Sequence, residues 1–342
     1  MARGVALFAL LLGACRDPSA DDDLDAAVDA TDAGLDGPGC NPDRPRLAVP
    51  EALVGPQSSA IGLEARVLSA IDAATVSIDV QMYSFTLTNL ADRLIAADRR
   101  GVPVRVILDG AQTVNASIRT RLTNGGVSVT TAPAEFPNAH AKYLVVDGNR
   151  AIILSGNFTQ AGMDDQRNYG LDDRDPEDVA TLVEIFAADL VDRPAVLSCP
   201  RLVVTPGDSR ARVLTFINSA QTSLDLELYY LADTTVRSAV ITAHNRGIAV
   251  RVLLSSVDEV PDNAATASAL KSAGVPVRTL RNPVVHAKVI VVDGAAALVG
   301  SNNMSLTSLR ENREVGAIVR DAATVGPVKA QLDTDWNAAT AW

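Results

Sequence analysis

Histidine and lysine are scarce in this chain of 342 residues, where three His and four Lys stand against 26 Arg. Aromatic residues make up 4%, cysteine occurs three times, and the formal net charge is −11. The acid excess argues against a protein that coats nucleic acid, because neutralising phosphates takes a surplus of Lys and Arg on some face. The shortage of aromatics leaves little on which bases could stack. No apolar run approaches the roughly 20 residues that span a bilayer. No H-x-H or Cys/His cluster offers a metal site, so neither a metal nor another cofactor is expected.

What the chain does have begins with an address. Arg3 precedes a short apolar run over residues 5–12, the length of a secretory leader core. Leu12-Gly13-Ala14-Cys15 follows and resembles a bacterial lipobox, which implies cleavage before Cys15 and a lipid on its thiol. Residues 1–15 are thus read as signal and anchor, with the protein exported and held to the cell envelope. Residues 16–45 are rich in Asp and Ala, and the first 38 residues carry eight Asp against two Arg. Such a stretch repels itself and buries little, which reads as a disordered tether. Cys40 and Cys199 remain as an even pair that an oxidising compartment would let form a disulfide; two separate buried thiols are the alternative.

The rest is an internal repeat. Residues 76–83 align with 223–229, setting Asp79 against Asp225, and residues 100–108 align with 246–254. His140-Ala141-Lys142 aligns with His286-Ala287-Lys288, and Asp147-Gly148 with Asp293-Gly294. All share one offset of 146 residues, so the chain is two copies of one unit, residues 46–198 and 199–342. In the first copy, residues 61–74 and 87–100 have helical spacing, whereas 76–83 alternate and 102–108 form an apolar run. The fold class is therefore α/β, two tandem pseudo-symmetric repeats, each a sheet covered by helices.

The end of each copy concentrates chemistry. Strand-prone runs at 143–146 and 151–154 flank Asp147-Gly148-Asn149-Arg150, a hairpin signal. A two-residue turn there opposes His140 and Lys142 to odd-numbered positions, among them Ser155 and Asn157, on a single face. The second copy repeats this with His286, Lys288, Ser301 and Asn303. By composition a Lys falls two places after a given His only about once in 85, yet it does so twice in register. Displacing an alcohol from a phosphodiester without metal takes a nucleophile, an acid and positive charge, which two His and two Lys can supply. The Ser and Asn residues could donate hydrogen bonds to the phosphate.

Two H-x-K-x4-D motifs, each followed by S-x-N, resemble the phospholipase D superfamily of phosphodiesterases. The second copy follows the pattern throughout, whereas Leu154 stands where the family usually has Gly. The resemblance makes His140 the nucleophile that forms a phosphohistidine, makes His286 the general acid, and counts Asp147 and Asp293 with the motif. Their place after strands, entering turns, suits those two Asp to structural hydrogen bonding. Each imidazole should need a carboxylate to fix its tautomer. Glu314 matches the acid that the family places after the second motif. In the first copy, matching Asn312-Arg313-Glu314 to Asn168-Tyr169-Gly170 leaves Gly170 in that place, and Asp172 is the nearest substitute. The leading expectation is a monomeric, membrane-tethered enzyme that hydrolyses phospholipid, by default phosphatidylcholine, to phosphatidate and head-group alcohol. The other readings are a secreted nuclease, a phosphatidyltransferase of cardiolipin synthase type, and a module that grips phosphodiesters without cleaving them.

Overall fold

The computed structural model of the protein describes residues 40–57 and 62–342. The leader, Cys15 and the tether up to residue 39 lie outside the described residues. The first copy comprises β1 (Glu51–Gly55), α1 (Leu63–Ala73), β2 (Ile78–Met82), α2 (Thr88–Arg99), β3 (Val104–Leu108), α3 (Ala116–Asn124), β4 (Ser128–Thr131), β5 (Lys142–Val146), β6 (Arg150–Leu154), β7 (Asn168–Asp173) and α4 (Pro176–Leu190). The second comprises β8 (Leu202–Thr205), α5 (Ser209–Asn218), β9 (Ser223–Leu228), α6 (Thr234–Asn245), β10 (Ala249–Ser255), α7 (Asn263–Ser272), β11 (Val277–Leu280), β12 (Lys288–Val292), β13 (Ala296–Gly300), α8 (Leu306–Arg310), β14 (Glu314–Val319), α9 (Ala322–Ala338) and β15 (Thr340–Ala341).

Each copy builds one mixed sheet, ordered β1-β7-β6-β5-β2-β3-β4 and β15-β11-β10-β9-β12-β13-β14-β8. The strands β2, β3 and β4 run parallel, because helices return the chain between them, whereas β5, β6 and β7 run antiparallel through short turns. Both faces are covered, so β5, β6, β12 and β13 read as nearly continuous apolar runs, while β2 and β9 alternate apolar residues with buried polar ones. On β5, Tyr143 and Val145 enter a central layer shared with the second copy, while Leu144 and Val146 face α1, α2 and α3. The central layer holds residues of α4 and α9 together with the inner faces of both sheets. The outer helices of the second copy cover a third cluster around Val213, Phe216 and Val240.

The hairpin register differs from expectation. Tyr143 pairs with Ile153 and Val146 with Arg150, so the turn has three residues, with Asp147 and Gly148 both at positive φ. The carboxylate of Asp147 explains the longer turn: it accepts hydrogen bonds from the backbone N–H groups of Thr75, Val76 and Ser77, pinning the turn to the entry of β2. Asp293 does the same for Gln221, Thr222 and Ser223. Burial raises the proton affinity of each carboxyl, but these donors outweigh it and both are held below the usual carboxylate range. In this register even positions oppose even ones, so Ser155 and Asn157 are not the positions that oppose Lys142.

From Cys40 onward the segment expected to be tether is fastened to the fold. A disulfide joins Cys40 to Cys199 across 159 residues of sequence. Arg44 binds Glu177 and the carbonyl of Cys199, and Arg46 reaches Asp178 at 2.6 Å and the carbonyl of Ile318. Six residues whose composition suggests disorder are thus ordered by two guanidinium anchors and one covalent bond. Closing so long a loop restricts the unfolded chain, so Cys199→Ser is expected to lower unfolding free energy by about 2–4 kcal/mol. Denaturant titration checks this, and unchanged stability would mean that the ion pairs alone hold the strap.

Candidate active site

The two motif segments meet where the copies meet, and each imidazole is held by the other copy. Nδ1 of His140 lies 2.9 Å from both carboxylate oxygens of Glu314, at the start of β14. Nδ1 of His286 lies 2.9 Å from Oδ1 of Asn168, at the start of β7. The backbone exchanges partners as well: Arg313 N–H donates to the carbonyl of Asn138, Arg167 N–H to that of Val284, and His286 N–H to that of Arg167. The side chain that faces Nδ1 at 2.9 Å thus comes from the opposite copy at both histidines.

Lys142 Nζ donates to the carbonyl of His140, and Lys288 Nζ donates to that of His286 at 2.8 Å. The two ammonium groups lie 4.9 and 5.1 Å from the ring centres of Tyr83 and Tyr229, which in turn pack at 4.7 Å on His140 and His286. Both Lys are 1% exposed, while His140 and His286 are 3% and 5% exposed, so any reacting group meets a nearly dry site. Burial pushes the proton affinity of His286 well below that of an ordinary histidine, and the charges of Lys288 and Lys142, with His140, act in the same direction. Among the described residues no three His, Cys, Asp or Glu converge into a metal-binding group.

Two expectations about the carboxylates need correction. Glu314, expected to orient His286, orients His140. Asp172, expected beside His140, is bound bidentately by Arg150 at 2.6 and 2.8 Å and by Arg66 at 3.0 Å. It lies four residues along β7 from Asn168, about 13 Å in an extended strand. Gly170 does not readily carry an acid either, because a Cβ there would lie 2.8 Å from the Ile153 carbonyl oxygen, a backbone atom. Leu154 belongs to the outer core of the first copy and does not enter the site.

Ser155 and Ser301, expected to bind phosphate, instead brace the groups that hold the histidines. Ser155 Oγ donates to Oδ1 of Asn168 at 2.8 Å and accepts from Tyr169 N–H. Ser301 Oγ accepts from Val315 N–H at 3.0 Å and donates to the Val315 carbonyl at 3.3 Å, fixing the strand next to Glu314. Asn157 accepts from Ser84 N–H at 3.3 Å, and Asn303 is buried at the equivalent place. Asp147 and Asp293 sit at the far ends of β5 and β12, about 16 Å along the strand from Lys142 and Lys288. They secure the turns and do not meet the imidazoles.

Sequence reasoning missed Asn168, Tyr83, Tyr229, Ser308 and Asn312. The signal for Asn168 was available, since Glu314 moved back by the repeat offset of 146 residues lands on it, and Arg313 lands on Arg167. Beneath these two Arg lie equivalent buried clamps. Arg313 forks onto Asp189 and Arg167 onto Asp335. Gln81 Nε2 donates to Asp189, but the second copy has Glu227 at that position, beside Asp335 and accepting from Tyr169 Oη. Burial, with Asp335 adjacent, pushes Glu227 up to about 8. The folded state therefore keeps a proton that unfolded Glu releases near pH 4.5, and stability declines as pH rises from about 4.5 to 8. Glu227→Gln, which copies Gln81, is expected to remove that decline and to gain a few kcal/mol over the parent at pH 8. Parallel pH–stability curves for the two proteins would refute the protonated state.

The family model described as "Cardiolipin synthase, PLD-like domain" matches twice, over residues 67–190 and 213–336. The chain belongs to this phospholipase D-like family. It is 24% identical over 318 residues to a probable cardiolipin synthase of Bacillus subtilis, covering 79% of this chain and 63% of that protein. It is 30% identical over 132 residues to a mitochondrial cardiolipin hydrolase of Danio rerio, covering 38% of this chain and 58% of that protein. The chain thus spans about three fifths of the length of these curated relatives. A phosphatidylserine synthase structure from Haemophilus influenzae shares the fold, with TM-score 0.68 at 12% identity, covering 88% of this chain and 90% of that one.

Proposed function

We propose that this chain transfers phosphatidyl groups between glycerophospholipids, as a cardiolipin synthase does, through a phosphohistidine on His140. The observation that carries this reading is the crossed pairing of two His–Lys sets in one buried site. In the first half-reaction Nε2 of His140 bonds to phosphorus, the bond to the leaving oxygen breaks, and that oxygen takes the proton from Nε2 of His286. In the second, an acceptor hydroxyl returns a proton to His286 as its oxygen attacks phosphorus and the P–N bond breaks. Phosphorylation makes the His140 ring cationic, and Glu314 across Nδ1–H stabilises that charge. Lys142 and Lys288 repel a proton on His286 in the empty site; a phosphodiester anion between them offsets that repulsion.

Transfer is preferred to hydrolysis of phosphatidylcholine because a cardiolipin synthase matches this chain across both copies. The test incubates the full chain, under EDTA, with vesicles of phosphatidylglycerol, vesicles of phosphatidylcholine, and DNA. Cardiolipin and glycerol from the first substrate support the proposal. Phosphatidate with free choline from the second would restore the hydrolase reading, and cleavage of DNA alone would replace both by a nuclease. Export and acylation at Cys15 belong to the same proposal, and Cys15→Ser is expected to move the protein from the membrane to the soluble fraction.

A further inference from the structure

The two groups that hold the histidines sit in pockets of opposite polarity. Three donors meet Glu314: Ser308 Oγ at 2.7 Å, Asn312 Nδ2 at 3.2 Å and Nδ1–H of His140 at 2.9 Å. That is a carboxylate pocket. Around Asn168, Nδ2 faces the carbonyl of Gly162 at 3.0 Å, while Oδ1 takes Ser155 Oγ and His286 Nδ1. A carboxylate there would set one oxygen against the Gly162 carbonyl, so this pocket accepts an amide. Gly162 lies one repeat offset before Ser308, which places a backbone acceptor where the second copy has a hydroxyl donor. The first copy cannot adopt serine there cheaply, because a Cβ on Gly162 would come within 2.4 Å of the Asn157 carbonyl oxygen. The asymmetry is thus built into the backbone around Asn168 and extends beyond one substitution.

We infer that Asn168 is a positioning residue that locks His286 in the Nδ1–H tautomer and denies it the counter-charge that Glu314 gives His140, so that the two imidazoles cannot exchange roles. The assignment of nucleophile and acid within it rests on the proposed reaction. With the amide fixed by Gly162, Oδ1 can only accept, so Nδ1 of His286 donates to it at 2.9 Å, and the Lys288 ammonium, 3.2 Å from Nδ1 and 3.3 Å from Nε2, is left to donate to Nε2. Its Nε2 is then the atom that carries and loses the working proton. The charged groups around His286 are Lys288, Lys142 and His140, the last with Glu314 behind it. None supplies a negative charge directly to His286. A proton on that ring is weakly held, which suits an acid that must release it to an alkoxide.

Ring-15N-histidine NMR on the full chain tests the tautomer without substrate, and only three His have to be assigned. In the parent protein His286 is expected as the neutral Nδ1–H tautomer at pH 7. Asn168→Asp should raise its titration midpoint by about one unit or more, while His244, on α6, serves as reference. An Nε2–H tautomer in the parent, or an unmoved midpoint in a folded Asn168→Asp, would overturn the inference. Should Asn168→Asp not fold, the parent tautomer decides by itself. The roles are read separately by trapping the phosphoenzyme: label on His140 alone agrees, and label on His286 or on both shows that the imidazoles do exchange. A failure of the proposed reaction would show as no label with the tautomer unchanged.

Discussion

His140→Asn and His286→Asn are each expected to lower kcat by about three orders of magnitude or more while leaving the protein folded. The amide of asparagine reaches roughly the place of Nδ1, so it can still donate to Glu314 or to Asn168 Oδ1 and leave no buried acceptor orphaned. What it lacks is Nε2, the atom that bonds phosphorus in one residue and moves a proton in the other. Because each copy supplies a different group to one site, neither variant should retain the activity of a half-site. The loss should be the same with and without EDTA. Mixing the two variants should restore nothing, because both histidines of a working site come from the same chain. A few per cent of activity in either variant would break the shared-site model, and recovery on mixing would show that sites form between chains.

The repeat offset carried most of what could be read in advance. It aligned the paired His and Lys, and it placed Asp79 and Asp225 on equivalent strands, where they bind Arg105 and Arg251. The errors came where that offset was set aside. Matching Asn312-Arg313-Glu314 by residue type to Asn168 shifted the frame by two positions and put attention on Gly170 and Asp172. At the constant offset Asn168 appears at once, as an amide where an acid was sought. The hairpin face is not legible from Asp147-Gly148-Asn149 alone, because these residues suit turns of two or three residues. The third turn residue depends on Asp147 reaching Thr75 to Ser77, a contact about 70 residues away. Nor does any local pattern say that Glu314 serves the histidine of the other copy. That crossing follows from packing both sheets around α4 and α9, which brings the starts of β7 and β14 to the motif of the opposite copy.

Glu314→Gln should be the most damaging change that leaves both imidazoles in place, with kcat reduced by about 10²–10⁴. Burial alone would raise the proton affinity of this carboxyl, but the charges of His140 and Lys142 and the hydrogen bond with His140 bring it below the usual range, so it is ionised at neutral pH. Glutamine keeps the shape and loses the charge. Its NH₂ must then face either Ser308 and Asn312, which are donors, or Nδ1–H of His140. The second choice pushes the His140 proton onto Nε2 and removes the lone pair that attacks phosphorus; the first leaves buried donors without an acceptor. In either case the cationic phosphohistidine loses its counter-charge, so trapped label should fall together with kcat while KM changes little. Stability carries a separate signature. A carboxyl whose folded proton affinity is depressed contributes stability above the unfolded value, near pH 4.5, and that contribution disappears as pH falls through the folded value. The parent should therefore lose stability on acidification below about pH 4.5 more steeply than the variant. Denaturant titrations at pH 7 and pH 4, run beside the kinetics, separate the two effects. Normal kcat with an altered acid limb of stability would leave Glu314 a structural carboxylate and require another group to hold His140.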